Sequence, residues 1–501
     1  MSDYLQNKQS SQAVLKGNYS SRLLDALARV GQRLEQPLYI VGGTVRDYLL
    51  GRASNDLDIT VQNDPYYCAA LLIEEMGAGT IVPLARGAEA AARVMVAKEQ
   101  VDFSAFRGGK LSIEDDLHLR DFTVNAMAMD FASLYGKAEP ILIDPTGGKK
   151  DLQMGLVRHL PAAFVDDPAR LLRGYRLCAV FGFQLDPGTR KEISRRASTI
   201  ETVAVERVSH ELQLIFGSPR TAITLAMMAE DGLLQFLLPE LYEGDGVEQP
   251  EFHHLDVFGH CFLALKMMED IIAKPMDYYP EYGELLVDYV KAPRLVRGLK
   301  WAALLHDVGK PATRAVPDEK GGRVTFYGHD EVGRRIFNSY AKKAKWSQVE
   351  SGLVGDLIGM HMHPFHLCNV VRSEALSPRA ALKLSQRAGE NLVGLFLLAM
   401  ADSLASEGEK KPKDMEKELT SLFSVVQEIY VQRIEPVTKG PKLITGYDLI
   451  KGFGLTPGPE FSRIMSELEI ARVDGVVTDR SEALAWIKQF LRRDAVGGNK
   501  D

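Results

Sequence analysis

Hydrophobic periodicity changes once along this 501-residue chain, and that change limits the fold more than any single motif does. From residue 37 to about 145, apolar residues alternate with a strand period in PLYIVGG, LDITVQ, TIVPL, ARVMVAKEQVDFSAF and ILIDP. After residue 160 that pattern nearly vanishes, and DPARLLRGYRLCAVFGF, ERVSHELQLIF and AITLAMMAEDGLLQFLL carry helical spacing instead. The expected fold is therefore an α+β N-terminal region, a mixed sheet with helices, followed by all-α structure. An amphipathic helix, SSRLLDALARVGQRL, precedes the sheet, and residues 1 to about 22 read as flexible.

Composition breaks mark the boundaries. The Pro- and acid-rich PELYEGDGVEQPEF spans residues 239–252, and the charged SEGEKKPKDMEKE at 406–418 leads into an expected long exposed helix. VTKGPKLITG at 437–446 precedes a small C-terminal unit. The resulting domains are a sheet domain at 22–150, a helical segment at 151–240, a second helical domain at 250–435 and a helical tail at 440–495. At 46% apolar composition the chain can bury a core in each of the larger ones.

Charge and cysteine usage exclude several classes. A net charge of −7 argues against a uniformly basic nucleic-acid binder, although local fields remain open. One such field is residues 291–345, where 13 Lys and Arg face 5 Asp and Glu, either a phosphate-facing patch or a solvated helical face. The four cysteines lie far apart with no CxxC pair, so neither a disulfide framework nor a cysteine zinc site is expected. The polar start MSDYLQNKQSSQ lacks a signal-peptide core, and the apolar run near Leu392 to Ala401 is too short to span a bilayer. A soluble, cytoplasmic protein with no membrane partner is expected.

The chemistry begins at YIVGGTVRDYLLGRASNDLDITV. On a strand, Asp56, Asp58 and Thr60 share one face while Leu57, Ile59 and Val61 share the other. Two carboxylates so close repel and are costly to desolvate. They suit oxygen ligation of Mg²⁺ ions that also hold triphosphate oxygens, unless the strand is an exposed edge with solvated aspartates. A third acid, Asp102, sits on the polar face of the expected ARVMVAKEQVDFSAF hairpin, with Arg107 close behind to meet phosphate. A solvent-facing hairpin residue is the alternative for Asp102. With Asp56 and Asp58, Asp102 could hold a metal that activates an attacking 3′-hydroxyl.

Further on, LRDFTVNAMAMD brings Arg120, Asp121 and Asn125 into an apolar segment, either a ribose-binding cluster or a capped helix with Asp121 as N-cap. VDDPARLLRGYR follows. Asp167 before Pro168 is a helix start, Asp166 and Arg170 are four apart, and Arg173 and Arg176 continue the spacing beside leucines. Capping and an i,i+4 pair account for the first three residues but not for Arg173 and Arg176.

In order, GGTVRDYLLG, NDLDIT, VDFSAFRGG, LRDFTVNAMA, DPTGGKKDL, DDPARLLRGYR and ERVSHEL resemble the class II tRNA nucleotidyltransferase and bacterial poly(A) polymerase family. The resemblance runs over residues 36–240. It implies a palm of five or so strands followed by helical neck, body and tail. It implies Mg²⁺ binding by Asp56 and Asp58, with Asp102 as third carboxylate. Nucleotide binding is implied for Gly42, Gly43, Arg46, Arg107, Arg120, Asp121, Asn125, Asp166, Asp167, Arg170, Arg173 and Arg176. Within that set, Arg120 and Asp121 fall on the ribose motif, and Asp167 and Arg170 on the acid and Arg that read the base. A carboxylate accepts from an exocyclic amine and Arg donates to ring N or carbonyl O, which suits both cytosine and adenine. Asp166 stands where Glu is common and Leu119 where a second Arg often precedes RDF, which leaves nucleotide choice open.

Eight of the eleven histidines lie between His253 and His366. An apolar helix, WAALLHDVGKP, is expected to end in His306-Asp307 and stop at Pro311. A His-Asp pair at a buried helix end, joined by a further His and Asp, can bind a divalent metal. The pattern resembles the HD phosphohydrolase superfamily, with ligands His260, His306, Asp307 and Asp402. GHDEVG at His329 and HMHP at His361 also fit such modules. His253, His254, His363 and His366 read as structural or rim residues. Hydrolysis of a phosphoester on an RNA end, such as a 2′,3′-cyclic phosphate, is implied. In the tail, Gly446, Gly454 and Gly458 punctuate short helices for packing.

The function expected is template-independent nucleotidyl transfer to RNA 3′ ends, adding CCA, its terminal A, or CC to tRNA from CTP and ATP. Poly(A) synthesis and a predominantly HD-phosphohydrolase role are the alternatives.

Overall fold

The computed structural model describes residues 17–497 apart from 55, 63, 88–89, 137–139, 251 and 317–323. Most of the segment expected to be flexible at the N-terminus lies outside the described residues. The chain divides into two compact units, residues up to 237 except 221–223, and residues 238–501 together with 221–223.

The first unit is built on a seven-stranded sheet in the order β3-β4-β5-β2-β1-β6-β7. Its strands are β1 (Tyr39–Val41), β2 (Asp56–Val61), β3 (Thr80–Ala85), β4 (Ala91–Val96), β5 (Glu99–Ala105), β6 (Ala128–Asp130) and β7 (Leu142–Ile143). Pairing is antiparallel except between β2 and β5, where Leu57 faces Val101, Asp58 faces Asp102 and Ile59 faces Phe103. The alternation read from sequence holds: Leu57, Ile59 and Val61 are buried with Val101 and Phe103, and the aspartates take the other face. Helix α1 (Ser21–Leu34) is capped by Ser20, whose Oγ accepts from the Leu23 N–H at 3.2 Å, and buries Leu23, Leu24, Leu27 and Val30. Helix α2 (Gly42–Leu49) follows β1, and helix α3 (Pro65–Met76) covers β4 and β5.

The sheet is larger than the five or so strands expected, because LRDFTVNAMAMD is not a helix. It makes a 3-10 turn at Thr123–Asn125 and then strand β6, which pairs with β1 through Val41 and Ala128. A short apolar run reads the same by periodicity whether it is a buried strand or a helix, and here the free edge of β1 decides.

After the sheet come helices α4 (Arg170–Phe181) and α5 (Val205–Phe216). The second unit is helical, with α6 (Val257–Ala273), α7 (Pro293–Leu305), α8 (His329–Lys343), α9 (Gln348–Met360) and α10 (Leu392–Ala405) around its core. Residues Pro378–Ala405 are long and apolar enough by composition to cross a membrane, but 72% of that window is buried inside the protein. The helix after the charged stretch, Met415–Ile429, is not the exposed helix expected, since Leu419, Leu422, Phe423 and Val426 are buried. Helix α7 ends at Leu305, and Pro311 opens a short following helix, Lys310–Thr313, instead of stopping α7. A first-turn proline lacks only a donor that would be unpaired there anyway. The tail packs around Ile444, Leu449, Ile464, Leu468 and Ile487, and Gly454 closes its helix in the left-handed region at φ 66°.

Candidate functional site

In the first unit, β2 is pinned so that its aspartates stay on the open face. The Asp56 carbonyl accepts from the hydroxyls of Tyr19 (3.0 Å), Thr44 (3.0 Å) and Ser54 (2.9 Å), and Thr44 Oγ1 in turn accepts from the Asp58 N–H at 3.1 Å. Gly42 turns at φ +64°, and a Cβ there would lie 3.1 Å from the Arg120 guanidinium and 3.8 Å from Asp58 Oδ2. The Gly-Gly turn thus brings backbone directly against the Asp58 carboxylate.

Asp58 is the electrostatic centre of this face. Burial raises its carboxyl to about 6, with Asp102 and Asp56 adding to the rise and Arg120 opposing it. Three neighbouring oxygen-ligand carboxylates that raise one another's charge cost suit a divalent cation, which fits Asp56, Asp58 and Asp102 as Mg²⁺ ligands. Asp102 carries a partner that periodicity did not indicate, Arg93, whose Nε and Nη2 each donate to it at 2.8 Å. A carboxylate offers about four acceptor positions, so roughly two remain on Asp102 for a metal.

Of the expected ribose cluster, Arg120 is held by Asp116, a fully buried acid that the sequence reading did not single out. Asp116 accepts from Arg120 Nε at 3.0 Å and from the Arg107 N–H at 2.8 Å, and Arg120 Nη2 reaches Thr60 Oγ1 at 3.0 Å. Burial, then repulsion by Arg107, lowers Arg120 to about 10. Asp121 accepts from the Phe122 N–H (2.8 Å) and Asn125 Nδ2 (3.1 Å) through Oδ1, and pairs through Oδ2 with Arg173 (2.9 Å). Arg46 donates to Asn125 Oδ1 at 2.7 Å and to Asp47, and stacks 4.4 Å from the Phe181 ring centroid. It braces the turn that carries Gly42 and Gly43.

The segment expected to read the base is arranged differently from its sequence spacing. Asp166 is exposed at the end of a short helix, Ala163–Asp166, and Asp167 follows it before α4. The Asp166–Arg170 pair expected at i,i+4 does not form. Arg170 lies 3.9 Å from Asp167 and donates to the Ala163 carbonyl at 3.3 Å. The extended backbone at Asp167 breaks the helical register that the pair would need. Arg173 and Arg176, unexplained by capping, are gathered by Glu211 of α5. Arg176 Nε lies 2.7 Å from Glu211 Oε2 and Arg173 Nε 3.6 Å from Oε1, ion pairs without hydrogen-bond alignment. Burial would lower Arg173, but Asp121 and Glu211 hold it well above its ordinary value. Glu211 lies in ERVSHEL, and its apolar neighbours Leu212 and Ile215 were the available signal that it faces inward.

The second unit holds a histidine-carboxylate centre wider than the four residues expected. His260, His306 and Asp402 converge, and Asp307, His329 and His361 form an adjoining group, all buried. Each histidine places Nδ1 on a backbone carbonyl: His260 on Ala405 (3.3 Å), His306 on Ala303 (2.9 Å), His329 on Phe326 (2.8 Å) and His361 on Ile358 (2.7 Å). A carbonyl only accepts, so Nδ1 carries the proton and Nε2 presents a lone pair inward, the tautomer a metal requires. The Nε2 atoms face one another in pairs, 3.1 Å apart for His260–His306 and for His329–His361. Two lone pairs at that distance call for a cation between them.

Asp307 joins the groups, with Oδ2 near His306 (3.3 Å) and His260 (3.4 Å) and Oδ1 near His329 (3.3 Å) and His361 (3.6 Å). Burial alone would lower His306, but Asp307 and Asp402 outweigh it and raise it to about 10, while burial lowers His361 to about 3. A divalent ion in place of that extra proton would satisfy both carboxylates. The residues therefore fit one divalent ion on His260, His306, Asp307 and Asp402, and a second on Asp307, His329 and His361. Lys310 Nζ contacts Asp307 Oδ2 at 2.5 Å and donates to Gln249 Oε1 at 2.6 Å. His253 Nδ1 meets Ser406 Oγ at 3.0 Å, and its ring lies 4.6 Å from that of His260. His254 Nδ1 accepts from the Glu407 N–H at 3.2 Å, and His363 pairs with Arg387 at 2.8 Å.

Three stretches match known families. Residues 38–158 match the Poly A polymerase head domain, 182–243 the probable RNA and SrmB-binding site of polymerase A, and 260–406 the HD domain. An A-adding tRNA nucleotidyltransferase of Deinococcus radiodurans is 32% identical over 90% of this chain and 95% of its own length. A CC-adding tRNA nucleotidyltransferase of Thermus thermophilus is 31% identical over 89% of this chain and 92% of its own. The fold is shared with a CCA-adding enzyme solved with ATP (TM-score 0.62, 21% identity, 97% of each chain). It is also shared with the Thermotoga maritima CCA-adding enzyme complexed with tRNA (TM-score 0.60, 20% identity, 96% of this chain and 99% of that one).

Proposed function

The chain belongs to the tRNA nucleotidyltransferase family with a poly(A) polymerase head domain and an HD domain, and from that membership we propose that it is a cytoplasmic enzyme building all or part of the CCA end of tRNA from CTP and ATP. The observation that carries this reading is the direct pairing of Asp58 with Asp102 on parallel strands, beneath the Gly42 turn and beside Asp56. That face fits two Mg²⁺ ions, which supply the charge that activates a 3′-hydroxyl and holds a triphosphate. Arg120, Asp121 and Asn125 bind the ribose side of the nucleotide, Arg107 meets phosphate, and Gly42, Gly43 and Arg46 shape the floor. Asp167 and Arg170 read the base, with Asp166 at the rim and Arg173 and Arg176 fixing their helix.

The near-complete coverage of relatives named A-adding and CC-adding favours tRNA over general poly(A) synthesis. The test supplies tRNA transcripts ending at the discriminator base, at C or at CC with Mg²⁺ and either CTP or ATP. Incorporation limited to the missing CCA residues supports the reading. Open-ended A tails would make the protein a poly(A) polymerase, and no incorporation on any RNA would overturn nucleotidyl transfer.

A second activity is favoured by the four Nδ1-anchored histidines around Asp307 and Asp402. This centre fits metal-dependent hydrolysis of a phosphoester on an RNA end, for instance a 2′,3′-cyclic phosphate, with Lys310 as a buried cation beside Asp307. Hydrolysis of such ends after loading with Mn²⁺ or Ni²⁺ tests it, and a fully loaded protein inert on every phosphoester would sink it.

A further inference from the structure

Asp167 has both carboxylate oxygens engaged by its own protein. Oδ1 accepts from the Ala169 N–H at 3.2 Å, and Oδ2 accepts from Arg207 Nη2 at 2.6 Å. Arg207 lies four residues before Glu211 on α5, so both side chains stand on one face of that helix, a turn apart. Glu211 takes Arg173 and Arg176 while Arg207 takes Asp167, so α5 grips the base-reading segment at two points. Burial would raise the Asp167 carboxyl, but Arg207 and Arg170 outweigh it and hold it below the usual carboxylate range.

A carboxylate pinned at both oxygens cannot swing about its Cβ–Cγ bond, and each oxygen's remaining acceptor position points in a fixed direction. Recognition of an exocyclic amine needs that acceptor placed to within roughly half an ångström. Arg207 also lines a cleft of about 360 Å³, together with Ala169, Arg176 and His210. Arg207 is half exposed, with 51% of its side chain accessible, and an ion pair that open contributes little to folding.

We propose that Arg207 is a positioning residue that fixes the Asp167 carboxylate and thereby sets which base the nucleotidyl-transfer site accepts. The inference rests on the reading of Asp167 and Arg170 as the base-reading pair. Arg207 touches no reacting atom, so its loss acts on nucleotide affinity and selection and leaves the transfer step intact.

The experiment compares Arg207→Gln, Arg207→Lys, Asp167→Asn and the Arg207→Gln/Asp167→Asn double variant of the full chain. It measures kcat and KM for CTP and ATP on the transcript that the wild type extends, together with the melting temperature. Arg207→Gln is expected to raise KM for the accepted nucleotide about tenfold, with kcat within about twofold and the CTP:ATP preference narrowed. Arg207→Lys should recover part of the loss, since it keeps the charge without the planar fork. In the Asp167→Asn background the Gln substitution should add nothing. Unchanged KM and preference in Arg207→Gln, additive effects in the double variant, or a fall in kcat alone that follows the melting temperature would each overturn the proposal. Asp167→Asn with unaltered selection would instead overturn the base-reading pair, an outcome separable from a silent Arg207.

Discussion

Asp121 and Arg173 form a 2.9 Å ion pair that fastens the sheet domain to α4, with the Asp121 side chain buried and a third of the Arg173 side chain exposed. Burial alone would raise the Asp121 carboxyl. Arg173, Arg170 and Asn125 outweigh that and hold it well below its ordinary value. Asp121→Asn should therefore cost about 1–2 kcal/mol at pH 7, because it removes one counter-charge from a guanidinium that is partly screened by water and keeps Glu211. For a unit of this size that corresponds to a melting temperature lower by roughly 2–8 °C. A depressed carboxylate contributes stability above its unfolded value near 4 and loses it as pH falls through that value and below. The gap between the melts of wild type and Asp121→Asn should therefore begin to narrow below about pH 4 and still be closing at about pH 3, because the folded carboxyl protonates well below the unfolded one, and a constant gap would show that the pair contributes no linked charge.

Metal binding at the two centres is predicted to be separable. Asp56→Ala or Asp58→Ala should lower nucleotide incorporation by about 10²- to 10³-fold or more, the scale seen when a group facing developing charge is removed. Either change should leave phosphoester hydrolysis intact. His306→Ala should do the reverse, since it removes an imidazole that only the histidine centre uses. Parallel assays of incorporation and hydrolysis check this, and a single substitution abolishing both would contradict two independent sites.

Asp307 serves two histidine pairs through different oxygens, which predicts a stoichiometry. Elemental analysis of the Asp56→Ala/Asp58→Ala variant, which leaves the histidine centre as the cation site, should find two ions per chain after reconstitution with Mn²⁺ and desalting. Adding His361→Ala should leave about one, since His260, His306 and Asp402 stay whole. One ion before that change would restrict the centre to the first group.

Local patterning made some of this legible and hid the rest. The period-two run through Asp56 and Asp58 exposed the carboxylate face, because one buried face forces the other outward. Spacing could not reveal Asp116, Arg93 or Glu211, whose partners lie on other elements and are chosen by tertiary packing. Strand β6 was not foreseen, and a capped helix stayed open as one reading of its segment, because three residues of AMAMD carry too little period to arbitrate. His329 and His361 were noticed as fitting neighbours but not as a second ligand group. Their grouping depends on Asp307 bridging from a turn after α7, and no interval in the chain encodes that.

Gly42 supplies the last prediction, since its φ of +64° and its closeness to Arg120 act together. Alanine there would meet a left-handed penalty of about 1–2 kcal/mol. Its Cβ would also stand 3.1 Å from the Arg120 guanidinium, which is held in place by Asp116 and Thr60 and can yield only by loosening those bonds. Arg120 also opposes the charge on Asp58, so displacing it should weaken metal and nucleotide binding together. The expected outcome for Gly42→Ala is a melting temperature lower by about 2–8 °C, with a larger proportional loss in kcat/KM than in the folded fraction. Gly43→Ala is the control, because a Cβ there meets only the end of the Arg46 side chain at 3.4 Å, an ordinary van der Waals contact, and no left-handed strain. Equal losses in the two variants would show that the turn tolerates a side chain and that its closeness to Asp58 has no part in the chemistry.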